Sequence, residues 1–166
     1  MRLSALFTTL AALAPTILAL PTDPIEPANA SETTAKHASP DVIIRNHCPF
    51  PVFVTSVGKN VGPTREIIAG GVWTEPEYWS GIGTAIEFTR TFDGLYTDAP
   101  VLVLGYSYTA GVSIYYDLGL HAGNPFEGYN VRLSGKGGDN IWDPKPKPPS
   151  TKAWFGETDL LLDLCL

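Results

Sequence analysis

The chain has 166 residues, a formal net charge of −6 at pH 7 and only two cysteines. This length favours a single globular domain with a short extension. An acidic surface repels phosphate groups, so the charge argues against nucleic acid and anionic membranes as partners.

The N-terminus has the pattern of a secretory signal peptide. Met1-Arg2 is followed by an apolar run to Leu20, and the first acidic residue is Asp23. The run is too short to span a membrane comfortably, and no later apolar stretch is long enough. We expect a signal peptide over residues 1–19 and a secreted product, extracellular or associated with the cell wall.

Residues 20–40 are rich in Pro, Ala, Ser and Thr and contain few large apolar side chains. Such a segment cannot bury enough surface to order itself, which predicts a disordered arm or propeptide. Within it, Asn29-Ala30-Ser31 is an N-glycosylation sequon. Glycosylation of Asn29 and an unused match are equally compatible with the sequence.

Residues 41–166 show short apolar or alternating runs between Gly, Pro and Asp breaks, without sustained helical periodicity. This spacing predicts an all-β fold, a single antiparallel β-sandwich. The predicted strands cover residues 42–46, 51–57, 64–68, 71–75, 83–91, 101–108, 112–118, 129–134, 152–156 and 160–165. Alternation places Val112, Ile114 and Tyr116 on one face and Tyr115 and Asp117 on the other.

The two cysteines lie at opposite ends of this domain. Cys48 follows the first predicted strand, and Cys165 is the penultimate residue. In an oxidising compartment an even number of cysteines is normally paired, so we expect a disulfide that joins the first strand to the last. Two free buried thiols are the alternative.

The segment 135–150, GKGGDNIWDPKPKPPS, contains many glycines and prolines and several lysines. These residues disfavour regular strand, which predicts a long mobile loop. A solvated linker without a binding role is the simplest interpretation of a basic, proline-rich loop.

Ordered short motifs resemble the thaumatin-like proteins. Ile44-Arg45-Asn46-His47-Cys48 resembles their first strand, and Cys165 resembles their last cysteine, which in that family bonds the first. Further matches are Gly70-Gly71-Val72-Trp73, Phe88-Thr89-Arg90-Thr91 and Tyr115-Tyr116-Asp117-Leu118. Within this superfamily the chain is most similar to the small fungal yeast-phase-specific proteins, through Ser56-Val57-Gly58, Asp93-Gly94-Leu95-Tyr96 and Pro125-Phe126-Glu127-Gly128.

The resemblance implies a thaumatin-like fold and part of an acidic cleft. In larger members this cleft is linked to β-1,3-glucan binding and sometimes hydrolysis, and Arg90 and Asp117 match its pattern. The cleft Glu has no counterpart near Gly105, and the second domain that forms the opposite wall is missing. We expect Arg90 and Asp117 to form a structural ion pair.

Hydrolysis of a glycosidic bond requires two carboxyl groups on either side of it. The candidates in this acidic protein are Glu75, Glu77, Glu87, Asp93, Asp98 and Asp117. Solvated or turn-forming acids are the simpler interpretation, so we predict no catalytic residues. A minimal β-1,3-glucanase that uses Asp117 and Glu87 is the alternative.

Other site chemistries find little support. The histidines lack ligand spacing and no phosphate-binding glycine loop opens a helix, so neither a metal nor a cofactor is predicted. Aromatic residues are more informative, because a ring can stack on the face of a sugar. We expect Trp73 and Phe88 in the core. Tyr78, Trp79 and Trp142 lie among polar or turn residues and are the predicted exposed rings.

Together these features predict a secreted, non-catalytic protein that binds a cell-wall polysaccharide or a host protein. The predicted binding residues are Tyr78, Trp79, Trp142, Arg90 and Asp117.

Overall fold

The computed structural model describes residues 39–166. The predictions for the signal peptide, for the arm up to residue 38 and for Asn29 concern residues outside this range. Within it, the single helical element is a 3₁₀ turn at Gly94–Tyr96. None of these residues forms a helix long and apolar enough to cross a membrane.

Eleven strands form the domain, one more than the ten that the sequence predicts. In chain order they are β1 (Asp41–Asn46), β2 (Val52–Val57), β3 (Arg65–Ile67), β4 (Val72–Pro76), β5 (Thr84–Thr89), β6 (Val101–Thr109), β7 (Ser113–His121), β8 (Val131–Ser134), β9 (Asn140–Trp142), β10 (Lys152–Trp154) and β11 (Leu160–Leu164). One sheet has the order β4-β1-β11-β8-β9, and the other has the order β10-β7-β6-β5-β2-β3. The all-β, two-sheet sandwich is confirmed.

All neighbouring strands are antiparallel except β1 and β11, which run parallel with Val42 opposite Leu160 and Asn46 opposite Leu164. The Cys48–Cys165 disulfide closes the sheet just beyond this pair, with a Cα–Cα distance of 4.9 Å. The expected bond between the first and last strands is therefore confirmed.

The core lies between the sheets and consists of the inward side chains of the long strands. Ile86, Phe88, Leu104, Ile114 and Leu118 are fully or almost fully buried. Phe88 is a core residue, as predicted, whereas Trp73 is only partly buried and packs against the core. Because side chains alternate along a strand, the residues between these core positions form the outer face of the six-stranded sheet.

Two sequence predictions about the strands are wrong. Val112 is exposed in the turn before β7, because that strand begins at Ser113. Regular strand is also present within 135–150, where β9 pairs with β8 through Leu133 and Asn140. Trp142 belongs to this short strand and packs in the core, so its 3% exposure contradicts the predicted exposed ring.

Candidate functional site

The outer face of the six-stranded sheet brings together several predicted site residues. Strand register places Ala85, Gly105 and Asp117 in one row across β5, β6 and β7. Glu87, Val103 and Gly119 form the adjacent row. Residues paired across neighbouring strands point to the same side, so Glu87 and Asp117 share this face.

A groove runs beside this region and has a volume of about 430 Å³. Small residues form its floor and Ile82 forms part of its wall; we define the outer-face groove by Val57, Ile82, Ala85, Gly105 and Ser107. An added Cβ at Gly105 would find no atom within 4 Å, so the missing side chain leaves open space above the sheet. The sequence signal for this groove is a glycine inside a long strand, which often marks close approach of another molecule.

One exposed aromatic ring, that of Tyr115, lies on the outer face beside the groove. Tyr115 pairs with the groove residue Ser107, is 43% exposed and meets the exposed ring of Phe155 edge to face, with 6.4 Å between the ring centres. Tyr78 covers Gly58, and its hydroxyl lies 3.3 Å from Ser56 Oγ. Tyr78 is exposed, as its sequence context predicted. Ser56 pairs with the buried Ile86, and the Tyr78 ring meets the buried Tyr106 edge to face, so Tyr78 lies toward the core side of the sheet and not on its outer face. Tyr115 and Phe155 were not among the predicted binding residues.

Trp79 is also exposed, at 59% of its surface, in the loop between β4 and β5. The predicted exposure of Tyr78 and Trp79 is confirmed. Their role in binding stays a prediction.

The Asp117 carboxylate, on the outer face of the six-stranded sheet, accepts hydrogen bonds from neighbouring chain segments. Its Oδ1 accepts hydrogen bonds from the Leu118 N–H at 2.7 Å and the Ser150 N–H at 3.0 Å. Its Oδ2 accepts one from the Thr151 hydroxyl at 3.2 Å. Both carboxylate oxygens are therefore engaged, and two of these bonds fix the end of the loop that leads into β10.

Arg90 does not contact Asp117. Its guanidinium carbon is 3.4 Å from the centre of the Phe50 ring, and Nη1 donates to the Pro125 carbonyl at 3.4 Å. The predicted Arg90–Asp117 ion pair is wrong, since the ion pairs among residues 39–166 do not include it. The aromatic ring and a backbone carbonyl replace the carboxylate as partners of the guanidinium.

Glu87 is half-buried, and this burial raises the pKa of its carboxyl group, while the charge of His121 opposes the shift. Strand and residue spacings place the Cα atoms of Glu87 and Asp117 about 12 Å apart. The bonds to Ser150 and Thr151 hold the Asp117 carboxylate toward β10, on the side away from Glu87. This arrangement does not form a facing pair of carboxyl groups.

A second cavity, of about 270 Å³, lies on the other side of Asp117. Its lining residues come from β7, from β9 with its preceding turn, from the proline-rich loop and from the start of β10: Asp117, Leu118, Asp139, Asn140, Ile141, Trp142, Lys147, Pro148, Ser150 and Lys152. We call it the loop cavity. Two predicted binding residues, Asp117 and Trp142, therefore meet here, although the sequence did not suggest their proximity.

Metal-ligating side chains are dispersed in this part of the protein. Residues 39–166 contain no group of three or more His, Cys, Asp or Glu side chains that could hold a metal ion.

Comparison with known proteins supports the assignment of the fold. The crystal structure of the protein elicitor MoHrip2 from Magnaporthe oryzae matches with a TM-score of 0.62 and 22% identity, over 77% of this chain and 100% of that chain. A search of the curated proteins found no match. The family model described as Bys1, Blastomyces yeast-phase-specific protein, matches residues 29–166. The chain therefore belongs to the Bys1 family.

Proposed function

We propose that this protein is a secreted, non-catalytic glycan-binding protein that holds a cell-wall polysaccharide in the outer-face groove. The observation that carries the proposal is the open, glycine-floored groove beside the exposed ring of Tyr115. Its extracellular location is supported by the predicted signal peptide and by the disulfide, because disulfides persist in oxidising compartments.

The groove has the features that a sugar chain needs. Gly105 and Ala85 leave the sheet surface low, so a flat pyranose ring can approach the backbone. Tyr115 offers an apolar ring face with a hydroxyl at its tip, which suits a ligand that is apolar on one side and polar on its rim. Glu87 and the Ser107 hydroxyl supply hydrogen-bonding groups for sugar hydroxyls.

The hydrogen bonds of the candidate carboxylate Asp117 support a non-catalytic role. A glycosidase places two carboxyl groups about 5–10 Å apart across the bond to be cleaved. Asp117 accepts three hydrogen bonds from its own chain and is held toward β10. It is therefore occupied as a structural acceptor.

Binding can be measured with the purified protein and soluble β-1,3-glucan by isothermal titration calorimetry. Gly105→Val places a side chain in the open space of the groove and should therefore abolish binding. The fold should be kept, because a β-branched residue is favourable in a strand. Tyr115→Ala should weaken binding about tenfold, since stacking contacts contribute on the order of 1 kcal/mol.

Tyr96→Ala is the matched control, because Tyr96 is 74% exposed in the 3₁₀ turn, outside the groove. Unchanged binding in Gly105→Val would overturn the proposal for the groove. If no glucan or chitin oligomer binds while a host protein does, the groove is a protein-binding surface, which similarity to an elicitor would favour.

Hydrolysis is tested in the same samples by the release of reducing ends from laminarin. We expect none from the wild type. Release that is lost in both Asp117→Asn and Glu87→Gln would instead establish the glucanase alternative.

A further inference from the structure

The loop cavity carries a second inference, independent of the outer-face groove. We propose that it binds a single sugar ring bearing a carboxylate, a hexuronate, through Asn140, Lys147 and Lys152, with Trp142 in its wall. All four residues line the cavity.

Asn140 is the strongest indication of a ligand. It is 93% buried, and its Nδ2 atom has no hydrogen-bond partner among the residues that the structure describes. An unsatisfied buried polar group destabilises the folded protein, so each such group calls for an explanation. Asn140 lines the cavity, so an acceptor bound there is the partner that we propose for this amide.

The charges of the cavity select the kind of acceptor. Asp139 is paired with Arg132, whose Nε lies 3.0 Å and Nη2 lies 2.6 Å from Oδ2. Asp117 accepts its three hydrogen bonds from the chain. Arg132 balances the charge of Asp139, whereas the donors to Asp117 are neutral groups. Lys147 and Lys152 bring two positive charges, one of which offsets Asp117, so the lining residues carry one excess positive charge. Lys152 Nζ donates one hydrogen bond to Ser150 Oγ at 3.1 Å, and each ammonium group has further N–H donors. This set favours an anionic oxygen ligand over a neutral one.

The wall of the cavity is preorganised. Asp117 accepts hydrogen bonds from Ser150 and Thr151 and fixes the loop at its exit into β10. Prolines before this point, including Pro146 and Pro148, fix the backbone on both sides of Lys147. A rigid wall lowers the entropy cost of binding. The mobility of the rest of this loop stays a prediction.

The size of the cavity limits the ligand to one ring. Its 270 Å³ correspond to roughly nine water molecules at about 30 Å³ each. This is below the usual range of about 300–1,000 Å³ for drug-sized ligands. A monosaccharide or the terminal residue of an acidic chain fits this volume, with the remainder of the chain outside.

The test uses glucuronate and galacturonate, with glucose as the neutral analogue of the same ring size, in ligand-detected NMR and calorimetry. The wild type should bind a uronate at least tenfold more tightly than glucose. Lys147→Gln should reduce uronate binding about tenfold or more. Lys145→Gln is the matched control, because Lys145 lies two residues away in the same loop and does not line this cavity.

Asn140→Leu separates a binding role from a structural one. Removal of an unpartnered amide should leave the melting temperature unchanged or raise it, while uronate binding falls. Gly105→Val should leave uronate binding intact, so this proposal and the groove proposal can fail separately.

Equal losses in Lys147→Gln and Lys145→Gln would show nonspecific charge attraction and would overturn the proposed site. Failure of the wild type to prefer either uronate to glucose would overturn it as well.

Discussion

At the scale of single residues, Glu77 is the carboxyl group that the fold removes most completely from water. It directly follows β4, is 1% exposed, and neither carboxylate oxygen has a hydrogen-bond partner among the described residues. Burial and the nearby charges of Asp159, Glu157 and Asp41 raise the pKa of Glu77 to about 8. The neutral acid is therefore the stable form in the folded protein.

The raised pKa predicts that the domain is more stable in acid. In the unfolded chain Glu77 ionises near its ordinary pKa of 4.5, whereas the folded protein keeps the proton up to about pH 8. Between these values the unfolded state binds fewer protons, so the free energy of unfolding falls by up to about 1.4 kcal/mol for each pH unit. The contribution is fully present below pH 4.5 and is lost toward pH 8.

Thermal melts from pH 4 to pH 8 measure this effect. Glu77→Gln should flatten the decline and raise the melting temperature at pH 8, because the amide carries no charge. Glu66→Gln, at an exposed position, is the control. A decline of the same slope in wild type and Glu77→Gln would refute the assignment.

Arg90 and Asp117 give a second test at this scale. Their contacts are separate, with Phe50 and Pro125 for the former and Ser150 and Thr151 for the latter. We expect the losses of unfolding free energy in Arg90→Gln and Asp117→Asn to add within about 0.5 kcal/mol in the double mutant, as for independent sites. Chemical denaturation measures all three variants. A coupling energy above about 1 kcal/mol would show that the two side chains interact.

At the scale of elements, the turn between β8 and β9 is pressed against β10. A Cβ at Gly137 would lie 2.4 Å from the Ala153 carbonyl oxygen, a backbone atom that cannot rotate away. Gly137→Ala should therefore cost about 1–3 kcal/mol of stability, as overpacking does. Gly119→Ala, where an added Cβ meets nothing within 4 Å, should be neutral or stabilising. Equal melting temperatures in these two variants would contradict the close approach.

Elements also show why sequence reasoning succeeds in some places and fails in others. In β7 the period of two correctly separates the buried Ile114 and Tyr116 from the outward Tyr115 and Asp117. The short strand β9 escaped prediction because Asn140–Trp142 has glycines before it and prolines after it. Trp142 was assigned to the surface for the same reason. Local composition identifies turns, but it does not show that Asn140–Trp142 form backbone hydrogen bonds with β8 and so join the sheet.

The contacts of the site side chains could not be predicted from the sequence. Arg90 and Asp117 both match the acidic-cleft pattern, yet their partners come from Phe50 and from residues 150–151, far away in sequence. Alternation assigns the face of a strand, because it is local. Which groups meet on that face depends on the strand order, which no short stretch of sequence reveals.

At the scale of the whole molecule, the disulfide joins positions 117 residues apart. In the chain-entropy model, a disulfide that closes a loop of about 100 residues lowers the entropy of the unfolded chain. This raises the free energy of unfolding by about 4.7 kcal/mol. The double variant Cys48→Ser, Cys165→Ser should lose about 4–5 kcal/mol of stability by chemical denaturation. The wild type under reducing conditions should lose the same amount, and an unchanged unfolding midpoint in both would contradict this estimate.

The parallel pairing of β1 with β11 has a consequence for synthesis. The strand that is made first lies between β4 and the strand that is made last, and the final cysteine is one residue from the end of the chain. One edge of β1 therefore stays unpaired until β11 has been made. Long-range pairing of this kind is slow and leaves an open strand edge exposed to aggregation in the meantime.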